Sequence, residues 1–251
     1  MADRLELLHL AKTYGKKTVV KDISFAMDAG EIVGLLGPNG AGKTTTFYMV
    51  VGFIKGEKGH IILDGEDITK LPMYKRSKRG LSYLPQEPSI FRKLSVEDNI
   101  RLVVQTRKDL SKTQQEEEVD KLLEEFGIAD LRKQKGYTLS GGERRRTEIA
   151  RALGTSPKFL LLDEPFAGID PKAVYEIKQL IKTLSRKGIG VLLTDHNVRD
   201  TLAITDRSYL INAGTILVSG TKEDLLNNQT AKEIYFGNEF EEEMHGPATR
   251  S

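Results

Sequence analysis

One run of eight residues, Gly37-Pro-Asn-Gly-Ala-Gly-Lys43-Thr44, restricts what this chain can fold into more than any other feature. It satisfies G-x-x-x-x-G-K-[ST], follows the apolar run Ile32 to Leu36, and precedes a helix-forming stretch. Glycine at Gly37, Gly40 and Gly42 lets the backbone turn its N–H groups inward, with Pro38, Asn39 and Ala41 filling the loop. The helix start at Thr44 and Thr45 adds partial positive charge. A phosphate chain suits such a cradle, with Lys43 on its terminal phosphates and Thr44 placed to ligate Mg²⁺. The loop needs a strand before it and a helix after it, which makes the fold α/β.

The rest of the chain fits that frame. Its 251 residues, 39% of them apolar, can fill one large α/β unit or two intimate subdomains. Period-2 segments at Leu5 to Leu10 and Val19 to Phe25 predict an antiparallel opening, with a hairpin at Asp64-Gly65 and a short strand at Leu81 to Leu84. Between residues 88 and 151 the period changes. Val119, Leu122, Leu123 and Phe126 fall on one helical face, which predicts a helical insertion. Phe159 to Asp163 and Gly190 to Thr194 are continuous apolar runs, as in strands buried on both faces of a parallel sheet. Between them, Asp170-Pro171 predicts an N-cap with proline at N1, and Gly188 a helix stop. Ser208 to Val218 predicts a closing hairpin around Asn212-Ala213-Gly214. Residues 1–240 are expected to form a single domain and 241–251 a disordered tail.

Composition narrows the function. A formal charge of +2 supplies no overall field for nucleic acid or an anionic membrane, so no nucleic-acid partner is expected. With no cysteine, disulfide scaffolds and cysteine-ligated zinc are excluded. The first residues lack the apolar core of a signal peptide, and the longest apolar runs fall short of a membrane span. Any membrane role is expected to come through partners.

A second glycine-rich helix start, Leu139-Ser-Gly-Gly-Glu143, also suits an anion, and the run Phe159-Leu-Leu-Leu-Asp-Glu-Pro165 ends in two carboxylates where a strand meets a crevice. Taken in this order, the phosphate loop, "LSGGE" and "FLLLDEP" resemble the ATP-binding-cassette (ABC) ATPase family over nearly the whole chain. The resemblance implies the ABC-type core with an antiparallel β subdomain and an inserted helical subdomain, ATP as substrate, Mg²⁺ as cofactor, and a head-to-tail homodimer. In it, Ser140, Gly141 and Gly142 act on the partner's nucleotide. Asp163 holds Mg²⁺ and Glu164 activates the attacking water. His196 in "LLTDHNVRD" matches the switch histidine, Gln86 in "YLPQEPSIF" the glutamine that touches Mg²⁺ and water, and Tyr14 the aromatic that stacks on adenine. Asp170 matches the dimer-contact loop while remaining an N-cap.

The short separation between Lys43 and Ser140 leaves no room for the coiled coil of chromosome-structure relatives, so a transporter subunit is expected. Such a subunit would meet two integral membrane subunits near Gln86, with Tyr83, Phe91 and Arg92 as contacts, and would lie on the cytoplasmic face of the inner membrane. Arg144 to Arg146 and the Asp-His-Asn-Val-Arg run are similar to the ATPases of lipopolysaccharide export. A branched-chain amino-acid importer, or a soluble regulatory module, would use the same site.

Overall fold

The computed structural model describes residues 3–236. The expected tail at 241–251 lies outside the described residues. Two long strands, β1 (Arg4–Tyr14) and β2 (Lys17–Asp28), lead into β3 (Ile32–Leu36), the phosphate-loop segment and helix α1 (Lys43–Val51). A hairpin of β4 (Lys58–Leu63) and β5 (Glu66–Asp67) turns at Asp64-Gly65 as expected, and α2 (Met73–Lys78) precedes β6 (Leu81–Leu84). Three longer helices follow: α3 (Val96–Val104), α4 (Lys112–Glu125) and α5 (Gly141–Leu153). The chain then alternates β7 (Phe159–Asp163), α6 (Pro171–Arg186), β8 (Gly190–Thr194) and α7 (Val198–Leu202). It closes with the hairpin β9 (Arg207–Asn212) and β10 (Thr215–Gly220), then α8 (Lys222–Asn227).

Among the described residues the strands form one sheet in the order β5-β4-β1-β2-β10-β9-β3-β8-β7-β6. One half is antiparallel, and β6, β7, β8, β3 and β9 run parallel. The halves meet at a narrow seam, where β10 and β2 pair only at Thr215 and Asp22. β3, β7 and β8 are buried along their whole length, because helices cover both faces. That puts the C-terminal ends of β3, β7 and β8 side by side, where the phosphate loop, Glu164 and His196 begin.

Two details depart from the sequence reading. The alternation in β1 breaks at a bulge between Leu7 and Leu10, where His9 has φ 52°. The extra residue returns Leu10 to the buried face beside Leu5 and Leu7. Helix α5 also runs past the expected boundary at residue 151, because Leu153 packs into a core that joins Val96, Ile100, Leu122 and Phe126 to Leu160, Leu162 and Ile177. The helices over 96–153 therefore share their core with the sheet.

Helix α2 was absent from the sequence reading, and it fastens α1. Arg76 is buried and donates to Met49 O (2.7 Å), Val50 O (2.6 Å), Thr69 O (2.7 Å) and Leu71 O (2.8 Å). A cation there meets the carbonyls at the C-terminal end of the phosphate-loop helix, complementing its dipole. Burial brings the Arg76 pKa down to about 10, which leaves it charged at neutral pH.

Candidate active site

The phosphate loop is fixed by steric necessity and by its own lysine. Gly37 has φ 149°, and a Cβ there would run into the Ile211 carbonyl oxygen of β9. Lys43 is buried and donates to Gly37 O (2.6 Å) and Pro38 O (3.1 Å), closing the loop on itself. Burial pulls the Lys43 pKa down, and the nearby Glu164 and Asp163 partly restore it. Asn39, Gly40, Ala41, Gly42, Lys43, Thr44 and Thr45 line a cavity of about 320 Å³ together with Val19, Glu164 and His196. Loop, carboxylate and histidine thus line one cavity. Tyr14 is outside this lining. It sits at the tip of the β1–β2 hairpin, 47% exposed, with the Lys12 ammonium 5.3 Å from its ring centroid.

Glu164 follows the last residue of β7 and turns out of the strand with φ 48°, while its N–H still donates to Thr194 O at 2.8 Å. A left-handed glutamate costs about 1 kcal/mol or more, and here it aims the carboxylate into the cavity. Gln86 Nε2 donates to Glu164 Oε2 at 2.6 Å, and His196 Nε2 lies 2.7 Å from Glu164 Oε1. Both oxygens are therefore held. Burial raises the Glu164 pKa; His196 opposes this, and the neighbouring Asp163 and Asp195 add to it. A carboxylate with raised basicity, fixed on both sides, can take a proton from water.

Asp163 lies behind the cavity wall, 3% exposed, and accepts from the Tyr83 hydroxyl at 3.2 Å. Burial raises its pKa as well, against the pull of Tyr83, Arg145 and Lys43. Across the sheet it pairs with Thr194, whose buried Oγ1 has no hydrogen-bond partner among the described residues. Asp163, Thr44 and the Gln86 amide make an all-oxygen donor set, and a hard cation of the Mg²⁺ type takes such ligands while retaining water. Among the described residues no cluster of three or more His, Cys, Asp or Glu could hold a metal alone. The set suits a cation that arrives with phosphate oxygens.

Ser140, Gly141 and Gly142 lie elsewhere. Ser140 caps α5 in a reciprocal box: its N–H donates to Glu143 Oε2 at 2.8 Å, and its hydroxyl accepts from Glu143 N at 3.4 Å. Gly141 lines a separate cavity of about 390 Å³ with Gln86, Glu87, Arg144 and Gly168. Gly142 is buried against α6, where an added Cβ would come within 2.7 Å of Ala173 Cβ. Asp170 caps α6 by accepting from Ala173 N at 3.0 Å, as predicted.

Three residues that sequence reasoning missed hold these parts together. Arg145 is buried and donates to the carbonyls of Pro85 (3.0 Å), Asp163 (3.2 Å), Glu164 (3.3 Å) and Pro165 (3.3 Å). Glu148 lies beside it and accepts from Ser89 N (2.7 Å) and Ile90 N (3.1 Å). Asp195 accepts from Phe166 N (3.0 Å) and Asn197 N (2.9 Å), tying the β7 turn to the β8 turn. Their signal in the sequence was the Arg144 to Arg146 run and the Asp-His-Asn-Val-Arg run, which marked the resemblance but gave Arg145, Glu148 and Asp195 no part in the site. Of the expected partner contacts, Phe91 is 52% exposed beneath the Arg151 guanidinium, 5.1 Å from its ring centroid, and Arg92 is exposed. Tyr83 is half-buried, with its ring against Tyr48 and Phe53 and its hydroxyl on Asp163.

Comparison with known proteins places this geometry. The family model for the ABC transporter matches residues 20–167, and the chain belongs to that family as an ATP-hydrolysing cassette. The ADP-bound form of an ATP-binding cassette from an ABC transporter superposes with a TM-score of 0.84 at 27% identity, covering 95% of this chain and 100% of that one. More particularly, the chain is 55% identical to the lipopolysaccharide export system ATP-binding protein LptB of Haemophilus influenzae, over 92% of this chain and 96% of that protein. The protein of the same name from Acidithiobacillus ferridurans is 51% identical over 96% of this chain and 100% of its own length.

Proposed function

We propose that this chain is the ATP-hydrolysing subunit that powers lipopolysaccharide export, working as a homodimer peripheral to the inner membrane, on its cytoplasmic face, beneath two integral membrane subunits. The observation that carries the cargo is the 55% identity, over nearly all of both chains, to proteins named for that system. Among the described residues no helix is long and apolar enough to cross a membrane, which agrees with contact through partners. The described residues act as a single domain, with the helical segment that ends at Leu153 as its inserted subdomain.

The site geometry supports the following division of labour. Lys43 and the backbone N–H groups of Gly37 to Thr45, with Pro38, Asn39 and Ala41 shaping the loop, bind the phosphates; Tyr14 stacks on the adenine. Glu164 takes the proton of the attacking water, while Gln86 and His196 hold its two oxygens. Thr44, Asp163 and Gln86 would hold Mg²⁺, which when bound neutralises charge on the phosphate oxygens. Ser140, Gly141 and Gly142 lie outside the phosphate-loop cavity, and Gly141 lines a second one, so the three are assigned to the nucleotide of the other protomer, with Asp170 at the dimer contact. Charge on the terminal phosphate is then fully met only when two chains close, which couples closure to hydrolysis. Phe91 and Arg92, on the far side of Gln86, form the surface that a membrane subunit would press on.

Gentle solubilisation of native membranes, isolation of this chain and mass spectrometry of the attached integral subunits tests the proposal. Recovery of lipopolysaccharide export subunits is expected. Amino-acid permeases would overturn the cargo, and soluble partners alone would overturn the transporter reading.

A further inference from the structure

The four residues from Tyr83 to Gln86 reach both carboxylates of the β7 turn. Gln86 grips Glu164, and Tyr83 grips Asp163. The Tyr83 phenol is half-buried and donates its hydroxyl proton to that carboxylate at 3.2 Å. Its ring does not stand alone. Tyr83, Tyr48 and Phe53 pack mutually edge-on, with centroids 5.5 Å apart for Phe53–Tyr83 and Tyr48–Phe53 and 6.4 Å apart for Tyr48–Tyr83. Tyr48 lies on α1, the helix that begins at Lys43, and Phe53 follows that helix with half of its surface open.

We propose that Tyr83 is a positioning residue: its hydroxyl orients the Asp163 carboxylate for the divalent cation, and the Tyr48–Phe53–Tyr83 ring triangle holds that hydroxyl in place. The geometry leaves Tyr83 little freedom. Register places it on the sheet face that carries Leu161 and Asp163, and two edge-on rings block rotation about its side chain. A carboxylate with one oxygen fixed by a phenol presents the other in one direction, as partners behind a metal ligand commonly arrange. Among the described residues the buried Thr194 hydroxyl beside Asp163 has no partner, and it would supply a further oxygen next to that carboxylate. The inference rests on the ATP-site reading above, in which Gln86 holds Glu164, and adds that Tyr83 holds Asp163.

The test uses the full chain carrying Glu164→Gln, so that nucleotide is not consumed, and Mn²⁺ as the spectroscopic probe. Tyr83→Phe keeps the ring and removes the hydroxyl. Electron paramagnetic resonance should show Mn²⁺ binding to the ATP complex weakened about tenfold. ATP affinity measured in excess chelator should stay unchanged, a split that general loss of structure would not produce. Phe53→Ala should weaken Mn²⁺ in the same direction by a smaller factor. Unchanged or tighter Mn²⁺ binding in Tyr83→Phe overturns the role of the hydroxyl, and no effect of Phe53→Ala overturns the role of the ring triangle. Failure of the Glu164→Gln parent to bind Mn²⁺ with ATP would instead overturn the reading of the site itself.

Discussion

The wall that carries the phosphate loop and the helical side that carries Ser140 are built on opposite plans. On the wall, charge is held at a cost. Lys43, Asp163 and Glu164 all have pKa values displaced by burial, and Thr194 Oγ1 has no partner among the described residues. On the helical side most groups are already satisfied, although burial also lowers the pKa of Arg145 and Arg151 of α5 and, among the described residues, Arg146 Nε has no partner. Ser140 and Glu143 cap each other, and Glu97 of α3, though buried, is ion-paired with Lys133, Arg132 and Arg101, which outweigh the burial and hold its pKa at about 2. The wall is prepared for a ligand of high charge, and the helical side is a rigid face to be brought against it. Arg145 and Glu148 join the two, so the face can move only with the Gln86 loop and the β7 turn.

Substitutions that strike one side and spare the other sharpen this contrast. The largest effect is expected for Glu164→Gln, which should lower kcat about a thousandfold by steady-state ATPase assay, while ATP binding followed by fluorescence is retained. Gly37→Ala comes next. A Cβ against the Ile211 carbonyl should displace the loop and weaken ATP binding about a hundredfold in equilibrium titration. Gly142→Ala, on the helical side, should cost about 2 kcal/mol in urea unfolding through its clash with Ala173, with ATP affinity at its own phosphate loop unchanged. Equal losses of affinity in the two glycine variants would dissolve the distinction between the sides.

The smallest effects carry the sign of the electrostatics. Without nucleotide, Glu164→Gln should raise Tm by about 2 °C, because it removes a charge that burial disfavours while the amide can still meet Gln86 and His196. Glu97→Gln should do the reverse and lower Tm by about 3 °C at pH 7. Glu97 has a folded pKa below its unfolded value, so its contribution is complete above the ordinary glutamate pKa and disappears as pH falls toward about 2. Scanning calorimetry from pH 7 to pH 3 should therefore show the Glu97 difference shrinking.

The framework of the site was legible because its pieces are local. Ile32–Leu36, Phe159–Asp163 and Gly190–Thr194 are short apolar runs of strand length, and the structure has strands at those bounds. The Asp170 cap and the Asn212-Ala213-Gly214 turn, with positive φ at Ala213 and Gly214, rest on the residues that form them. What escaped was long-range. That Arg76 would end α1, that Arg145 would hold four carbonyls from two loops, or that Tyr83 would reach Asp163 depends on which strands become neighbours, and no periodicity encodes that. The bulge at His9 escaped because the strand period conceals an inserted residue until its partner is known.

The central claim is that the two sides of one ATP site come from two chains, and mixing inactive variants tests it most directly. Lys43→Ala spoils the wall and Ser140→Ala spoils the face, so each variant alone should hydrolyse almost nothing. Mixed in equal amounts and allowed to exchange, half of the dimers carry both variants and retain one site built from native Lys43 and native Ser140, giving about a quarter of the native rate. That recovery is the predicted result; a mixture as inactive as its components would mean that Lys43 and Ser140 of the same chain serve the same nucleotide, and would contradict the account.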